Sequence, residues 1–143
     1  MSEVKLTAEG IRYIALFENL TGATAKDCVI DDEHDRVIFV IKRGEMGLAI
    51  GRGGSNINGV KKAIGKHVEI VEHSEDVNEF IRNALHPVPV KNVSVVSKRD
   101  KRLAFVEISP RDRGFAIGRN GRNIQKAKML AQRHHDIGDI VIQ

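Results

Sequence analysis

One stretch of this chain occurs twice, and the repetition limits what the chain can fold into more than any other feature. Residues 47–57 read Gly-Leu-Ala-Ile-Gly-Arg-Gly-Gly-Ser-Asn-Ile, and residues 114–124 read Gly-Phe-Ala-Ile-Gly-Arg-Asn-Gly-Arg-Asn-Ile. The offset is 67 residues and eight of the eleven positions are identical. A repeat at that spacing in 143 residues implies two small domains, expected at 1–74 and 75–143. A domain of about 70 residues buries only about 60% of the surface of its unfolded chain. The two copies are therefore expected to pack on each other, or to be marginally stable alone.

The periodicity around both copies has the same order. Leu6–Asn19 has helical spacing with Thr7 as its cap, and Thr21-Gly22 closes it. Asp27–Ile30 and Val37–Ile41 are β-branched runs flanking the acidic turn Asp31–Asp35, a hairpin pattern. Glu45–Ile50 is a short helix ending at Gly51, and Ile57, Val60 and Ile64 mark the inner face of a second helix that Gly65 stops. His67–Val71 reads as a strand. The order repeats with a helix over Glu75–Leu85, capped by Ser74, and a break at His86-Pro87-Val88-Pro89. Strands at Lys91–Ser97 and Arg102–Ser109 follow, then a short helix over Asp112–Ile117, a helix whose inner face is Ile124, Ala127 and Ala131, and a last strand at Asp139–Ile142. A last strand reached through a helical crossover pairs in parallel, so each half is expected to be an α+β domain: a three-stranded mixed sheet with helices on one face.

Each glycine loop, Gly51-Arg52-Gly53-Gly54 and Gly118-Arg119-Asn120-Gly121, lies between two helices. Glycine tolerates positive φ and has no Cβ, so a ligand backbone can approach closely. The helix that follows points unpaired N–H groups and its positive dipole end into the same space, and the arginine adds charge. This combination suits phosphodiester oxygens. A Rossmann fingerprint is excluded because Asn56 stands at the third glycine position and no strand precedes the loop directly; a P-loop is excluded because no Lys-Ser/Thr follows.

Charge supports a polyanionic partner. The net charge is +4, but residues 1–74 hold 10 Lys/Arg against 11 acids, and residues 75–143 hold 13 against 8. Positions 42–66 carry six basic residues and one acid, and positions 98–133 carry eleven and three, so positive charge gathers around both loops. The single cysteine, Cys28, excludes an internal disulfide and a cysteine zinc site. Met1–Gly10 lacks the apolar core of a signal peptide, and no apolar run reaches a membrane span, so a cytoplasmic protein without membrane contact is expected. His134-His135 are adjacent and cannot face one metal from a regular helix, and Asp31, Asp32, Glu33 and Asp35 read as a hairpin turn. No metal, cofactor or catalytic constellation is expected.

The pattern Ile-Gly-x-x-Gly-x-x-Ile at Ile50–Ile57 and Ile117–Ile124, in this element order, resembles the type II KH domain. The tandem pair joined through Ala84–Pro89 is similar to the KH pair of the NusA-like transcription factors in their short archaeal form. The resemblance implies a single-stranded RNA-binding protein of transcription termination, antitermination or elongation, whose loops hold the backbone of about four nucleotides beside an apolar groove. It implies RNA contacts from Gly51, Arg52, Gly53, Gly54, Ser55 and Asn56, and from Gly118, Arg119, Asn120, Gly121, Arg122 and Asn123. Lys61, Lys62, Lys126 and Arg133 are expected to project from the following helices, with Ile50, Ile57, Ile117 and Ile124 in the core. Aromatic residues are only 4%, so backbone clamping is favoured over stacking. One RNA track over both loops is expected, held harder at the more basic second. RNA polymerase or other transcription factors are the implied protein partners. The polymerase-binding and S1 domains of bacterial members do not fit within these residues. A KH protein of ribosome or RNA processing, or a protein-binding scaffold, are the alternatives.

Overall fold

A computed structural model describes residues 4–143; Met1–Glu3, the first residues of the segment read as lacking a leader, lie outside them. Two compact units divide the described residues, one over Lys5–His73 and one that joins Val4 to Ser74–Gln143.

In the first unit, helix α1 (Ala8–Thr21) starts at Thr7, whose hydroxyl accepts from Gly10 N–H at 2.9 Å, and ends at Gly22 in the left-handed conformation, φ 77°. Strands β1 (Ala25–Asp31) and β2 (Arg36–Ile41) pair antiparallel across the acidic turn. The short α2 (Met46–Ile50), the glycine loop and α3 (Ser55–Ile64) lead back to β3 (His67–Glu72), which pairs parallel to β2. The crossover through α2 and α3 is what permits the parallel pairing. Alternation along the strands sends Cys28, Val37, Phe39, Ile41 and Val68 into one core with Phe17 of α1, Ala49 of α2 and Val60 of α3. Phe17 and Phe39 stack with ring centroids 4.5 Å apart. Ile57 and Ile64 pack against this core, as their spacing in α3 predicts.

β2 is buried along its whole length, and this includes a charge. The Arg36 side chain is fully inside the protein, with Nε donating to Asp31 Oδ2 at 2.8 Å and an Nη donating to Glu69 Oε2 at 3.1 Å. These carboxylates compensate a guanidinium that would otherwise be very costly to bury. Asp31 responds to the same environment. Burial tends to raise its pKa, but the hydrogen bonds and charges of Arg36 and His34 together hold it below the ordinary aspartate value.

The second unit repeats the plan with α4 (Val77–Leu85), β4 (Asn92–Lys98), β5 (Lys101–Glu107), α5 (Arg113–Ile117), α6 (Arg122–His135) and β6 (Asp139–Ile142). β4 and β5 are antiparallel, and β5 and β6 parallel. Helix α4 begins later than its periodicity predicts. Asp76, not Ser74, is the N-cap and accepts from Glu79 N–H at 3.0 Å, while Ser74 Oγ accepts from Asp76 N–H. Phe80, Ile81, Ala84 and Leu85 of α4 and Ala127, Leu130 and Ala131 of α6 are buried over the inner face of this sheet, with Val93, Ala104, Val106 and Ile140. The His86–Pro87 peptide is cis.

Candidate nucleic-acid interface

Both loops have one backbone conformation. Gly51 (φ 76°, ψ 174°) and Gly118 (φ 80°, ψ 168°) terminate α2 and α5 in a region open essentially only to glycine. A Cβ on Gly51 would stand 2.7 Å from Asn56 Cγ and 2.8 Å from Asn56 N; on Gly118 it would stand 2.8 Å from Asn123 N. The third positions, Gly53 (φ 61°) and Asn120 (φ 57°), are both left-handed, and so are Gly54 (φ 81°) and Gly121 (φ 72°). At Gly53 an added Cβ meets nothing, which explains why the second loop carries Asn there without changing shape.

The loops are braced from within. Asn56 Nδ2 donates to Leu48 O at 2.8 Å, and Asn123 Nδ2 donates to Ala116 O at 3.1 Å. Each asparagine thereby satisfies a carbonyl at the end of the short helix and holds the two helices at a fixed angle. Gly54 and Gly121 occupy the N-cap positions of α3 and α6 and provide no side-chain cap. The N–H groups of the first helical turn that a Ser or Asp side chain would occupy are therefore left without a side-chain cap beside the loop. Arg52, Arg119, Gly53, Asn120 and Ser55 are exposed there, and Arg122 is half-buried. Two glycine loops, each with a positive helix end that no side chain caps and an exposed arginine, form an arrangement that can receive phosphate oxygens.

Not every expected residue belongs to this arrangement. Lys61 and Lys62 project from α3 and are exposed, as expected; they lie in its last turn, about 10 Å along the axis from the loop, where their charge complements the negative helix end. Lys126 is only 7% exposed. It lies next to Ala127 and four residues before Leu130, at the edge of the buried face of α6, so its stem runs along the core instead of projecting. The isoleucines divide. Ile124 is buried and Ile57 packs on the core, but Ile50 and Ile117 are 42% and 41% exposed. With Leu48 (51%) and Phe115 (75%) they place two open apolar side chains before each loop. Sequence reasoning assigned these isoleucines to the core. The missed signal is length: a five-residue helix buries one position, here Ala49 or Ala116, and turns its neighbours outward.

The residues set aside as structural are occupied structurally. His134 and His135 pack against Phe80, and His135 Nε2 lies 2.9 Å from Ser74 O. Among the described residues, Asp31, Glu33 and His34 are the one group whose ligand atoms approach metal-site spacing, within 4.8 Å. Asp31 Oδ2 already accepts from the Arg36 guanidinium, which competes with any cation. Among the described residues no helix is long and apolar enough to cross a membrane.

Comparison with known proteins agrees with this geometry. Residues 11–100 match the KH domain family, and residues 77–142 match the NusA-like second KH domain. The probable transcription termination protein NusA of Halobacterium salinarum is 46% identical over 137 residues, 96% of each chain. The protein of the same name in Methanocaldococcus jannaschii is 37% identical over 99% of this chain and 76% of its own length. The transcription termination/antitermination protein NusA of Thermus thermophilus is 33% identical over 90% of this chain but 31% of its own length. Among solved structures, the crystal structure of APE1850 superimposes with a TM-score of 0.88 at 35% identity, covering 96% of this chain and all of that one. With both sheets mixed, both loops of one geometry and relatives matched along nearly its whole length, the chain belongs to the KH-domain family in its NusA-like, tandem type II form.

Proposed function

We propose that the chain is a single-stranded RNA-binding factor of transcription termination or antitermination, holding RNA backbone at its two glycine loops. The observation that carries this is the duplicated geometry: at 51 and at 118 the same glycine-only conformation opens an uncapped helix N-terminus beside an exposed arginine. Each KH domain, 1–74 and 75–143, contributes one clamp. Gly51, Gly53, Gly54, Gly118 and Gly121 permit the close approach. Arg52, Arg119 and Arg122 provide charge, and Ser55 and Asn120 provide hydrogen bonds. Asn56 and Asn123 hold the loops in shape through their Nδ2 groups. Ile50, Ile117, Leu48 and Phe115 give the bases an apolar surface. The role is binding, not catalysis. The names of the relatives support transcription termination as the setting; the cytoplasm as its location and RNA polymerase or other transcription factors as protein partners belong to the same proposal.

Titration of labelled single-stranded RNA at two salt concentrations tests the reading. Affinity that falls as salt rises supports it, with a log–log slope of about −0.7 per phosphate contacted; no binding at low salt overturns it. The paired changes Arg52→Asp with Gly53→Asp, and Arg119→Asp with Asn120→Asp, are expected to weaken binding with circular dichroism unchanged, since Asp tolerates the left-handed third position. Affinity that survives both pairs removes the loops as the clamp.

A further inference from the structure

A cavity of about 370 Å³ lies in the second unit, lined by Pro87, Val88 and Pro89 from the segment after α4 and by Asp112, Phe115 and Asn123 from the corner that carries the second loop. Its size is at the low end of small-ligand sites, roughly 300–1,000 Å³. The proline segment is held in place: Val88 N–H donates to Leu85 O, Arg82 of α4 donates to Val90 O, and Lys91 N–H donates to Glu107 O. Phe115 is the most exposed large apolar side chain among the described residues, at 75%, and its ring is available to one face of a flat ligand.

The polar groups of this cavity share one hydrogen-bonding character. Asn123 uses its Nδ2 on the carbonyls of Phe115 and Ala116, which leaves Oδ1 as an acceptor. The Asp112 carboxylate accepts only, and its contact with Arg111 Nε is long, at 4.0 Å, to a side chain that is 87% exposed. A cavity presenting acceptors beside an aromatic face selects a base edge made of donors. Guanine is the base whose Watson–Crick edge offers two adjacent donors, N1–H and N2–H₂, to a carboxylate.

The first unit lacks this equipment at the same offset of 67 residues. Glu45 stands where Asp112 does, but its Oε1 accepts from Thr24 N–H at 2.7 Å. Leu48 stands where Phe115 does.

We infer that the cavity at Asp112, Phe115 and Asn123 is a guanine-reading pocket beside the second clamp, absent from the first, which gives the bound RNA a base preference and a direction. The inference rests on the RNA-binding function proposed above and assigns that site its specificity. Phe115 stacks on the base, the Asp112 carboxylate accepts from N1–H and N2–H₂, and the adjoining backbone passes over Gly118–Gly121.

The test uses fluorescein-labelled RNA octamers of uridine with one central residue changed to guanosine, adenosine, cytidine or inosine, and the full chain. The readout is the ratio of affinities, since the register is free to slide along the uridines. The guanosine octamer is expected to bind about tenfold more tightly than the adenosine octamer, a typical discrimination for a good bidentate base contact. Inosine, which lacks the 2-amino group, is expected to fall between them. Asp112→Asn is expected to collapse the guanine-to-adenine ratio toward one, and Phe115→Ala to weaken the guanosine octamer severalfold more than Leu48→Ala. Phe115 is exposed, so its truncation leaves the core intact, and circular dichroism checks both variants. If the octamers bind and Arg119→Asp weakens them all, but guanine is not preferred or Asp112→Asn keeps the ratio, the pocket is overturned and the clamp stands. If no octamer binds, the RNA-binding function fails and the pocket with it.

Discussion

Replacing Gly51 by Ala should cost far more than replacing Gly53, two residues away in the same loop. At Gly51 two penalties coincide. The backbone at φ 76°, ψ 174° belongs to a glycine-only region, which costs an L-residue about 1–3 kcal/mol. The new Cβ would also stand 2.7 Å from Asn56 Cγ and 2.8 Å from Asn56 N. The side chain can rotate away, but the nitrogen belongs to the first turn of α3 and moves only with the helix. A displacement of that kind costs about 1–3 kcal/mol more. The sum, about 2–6 kcal/mol, is a large part of the stability of a domain this small, and corresponds to a fall of at least roughly 8 °C in Tm. Gly53→Ala meets no atom and incurs only the left-handed penalty, about 1–2 kcal/mol. Gly53→Asn should cost less again, because Asn is comparatively tolerant of that region and Asn120 already occupies the equivalent position at φ 57°. Urea unfolding followed by far-ultraviolet circular dichroism should therefore order the variants Gly53→Asn, Gly53→Ala, Gly51→Ala from most to least stable. Equal stability of Gly51→Ala and Gly53→Ala within about 0.5 kcal/mol would refute the steric argument.

Gly59 lies inside α3 with nothing near a prospective Cβ, so Gly59→Ala should stabilise the chain by about 0.8–1 kcal/mol in the same unfolding assay. Arg36→Met should destabilise it by about 3–5 kcal/mol, since Asp31 and Glu69 lose their buried partner. The depressed pKa of Asp31 contributes stability that is present above its unfolded value of 3.8 and lost as pH falls through the lower folded value. Asp31→Asn should flatten that acid limb in a pH series of denaturation midpoints, and an unchanged limb would exclude the Arg36 and His34 contacts as its source.

Much of the fold was legible because the relevant signals are local. Thr7 and Gly22 bound α1, Ile57, Val60 and Ile64 define the inner face of α3, and the crossover before His67 and Asp139 dictates parallel pairing. What escaped depends on neighbours distant in sequence or on rotation within a very short helix. Nothing near Arg36 in sequence reveals that Glu69, 33 residues away, will share its burial with Asp31. Ser74 and Asp76 are both good caps, and only the path of the chain selects the second. Lys126 was placed on the surface by its charge, whereas its turn of α6 takes the stem to the core edge. Ile50 and Ile117 were assigned to the core by hydrophobicity, whereas Ala49 and Ala116 take the one buried place in each short helix.

The two copies of the loop also separate what folding requires from what it does not. Identity at Gly51/Gly118 follows from steric closure, at Gly54/Gly121 from positive φ, at Asn56/Asn123 from the carbonyls they hold, and at Ala49/Ala116 from burial. The differences, Leu48/Phe115, Gly53/Asn120 and Ser55/Arg122, fall where the first copy faces solvent and packing is permissive. Arg52 and Arg119 fit neither group. They are exposed, at a position where many residues would satisfy the fold, and yet both copies carry the same guanidinium. Packing gives no reason for that identity, but a shared anionic ligand does. The same comparison separates the shared task from the divergent one. The arginine that would meet backbone phosphate is common to both copies, whereas Asp112 and Phe115, on which the proposed base preference rests, have Glu45 and Leu48 in their places.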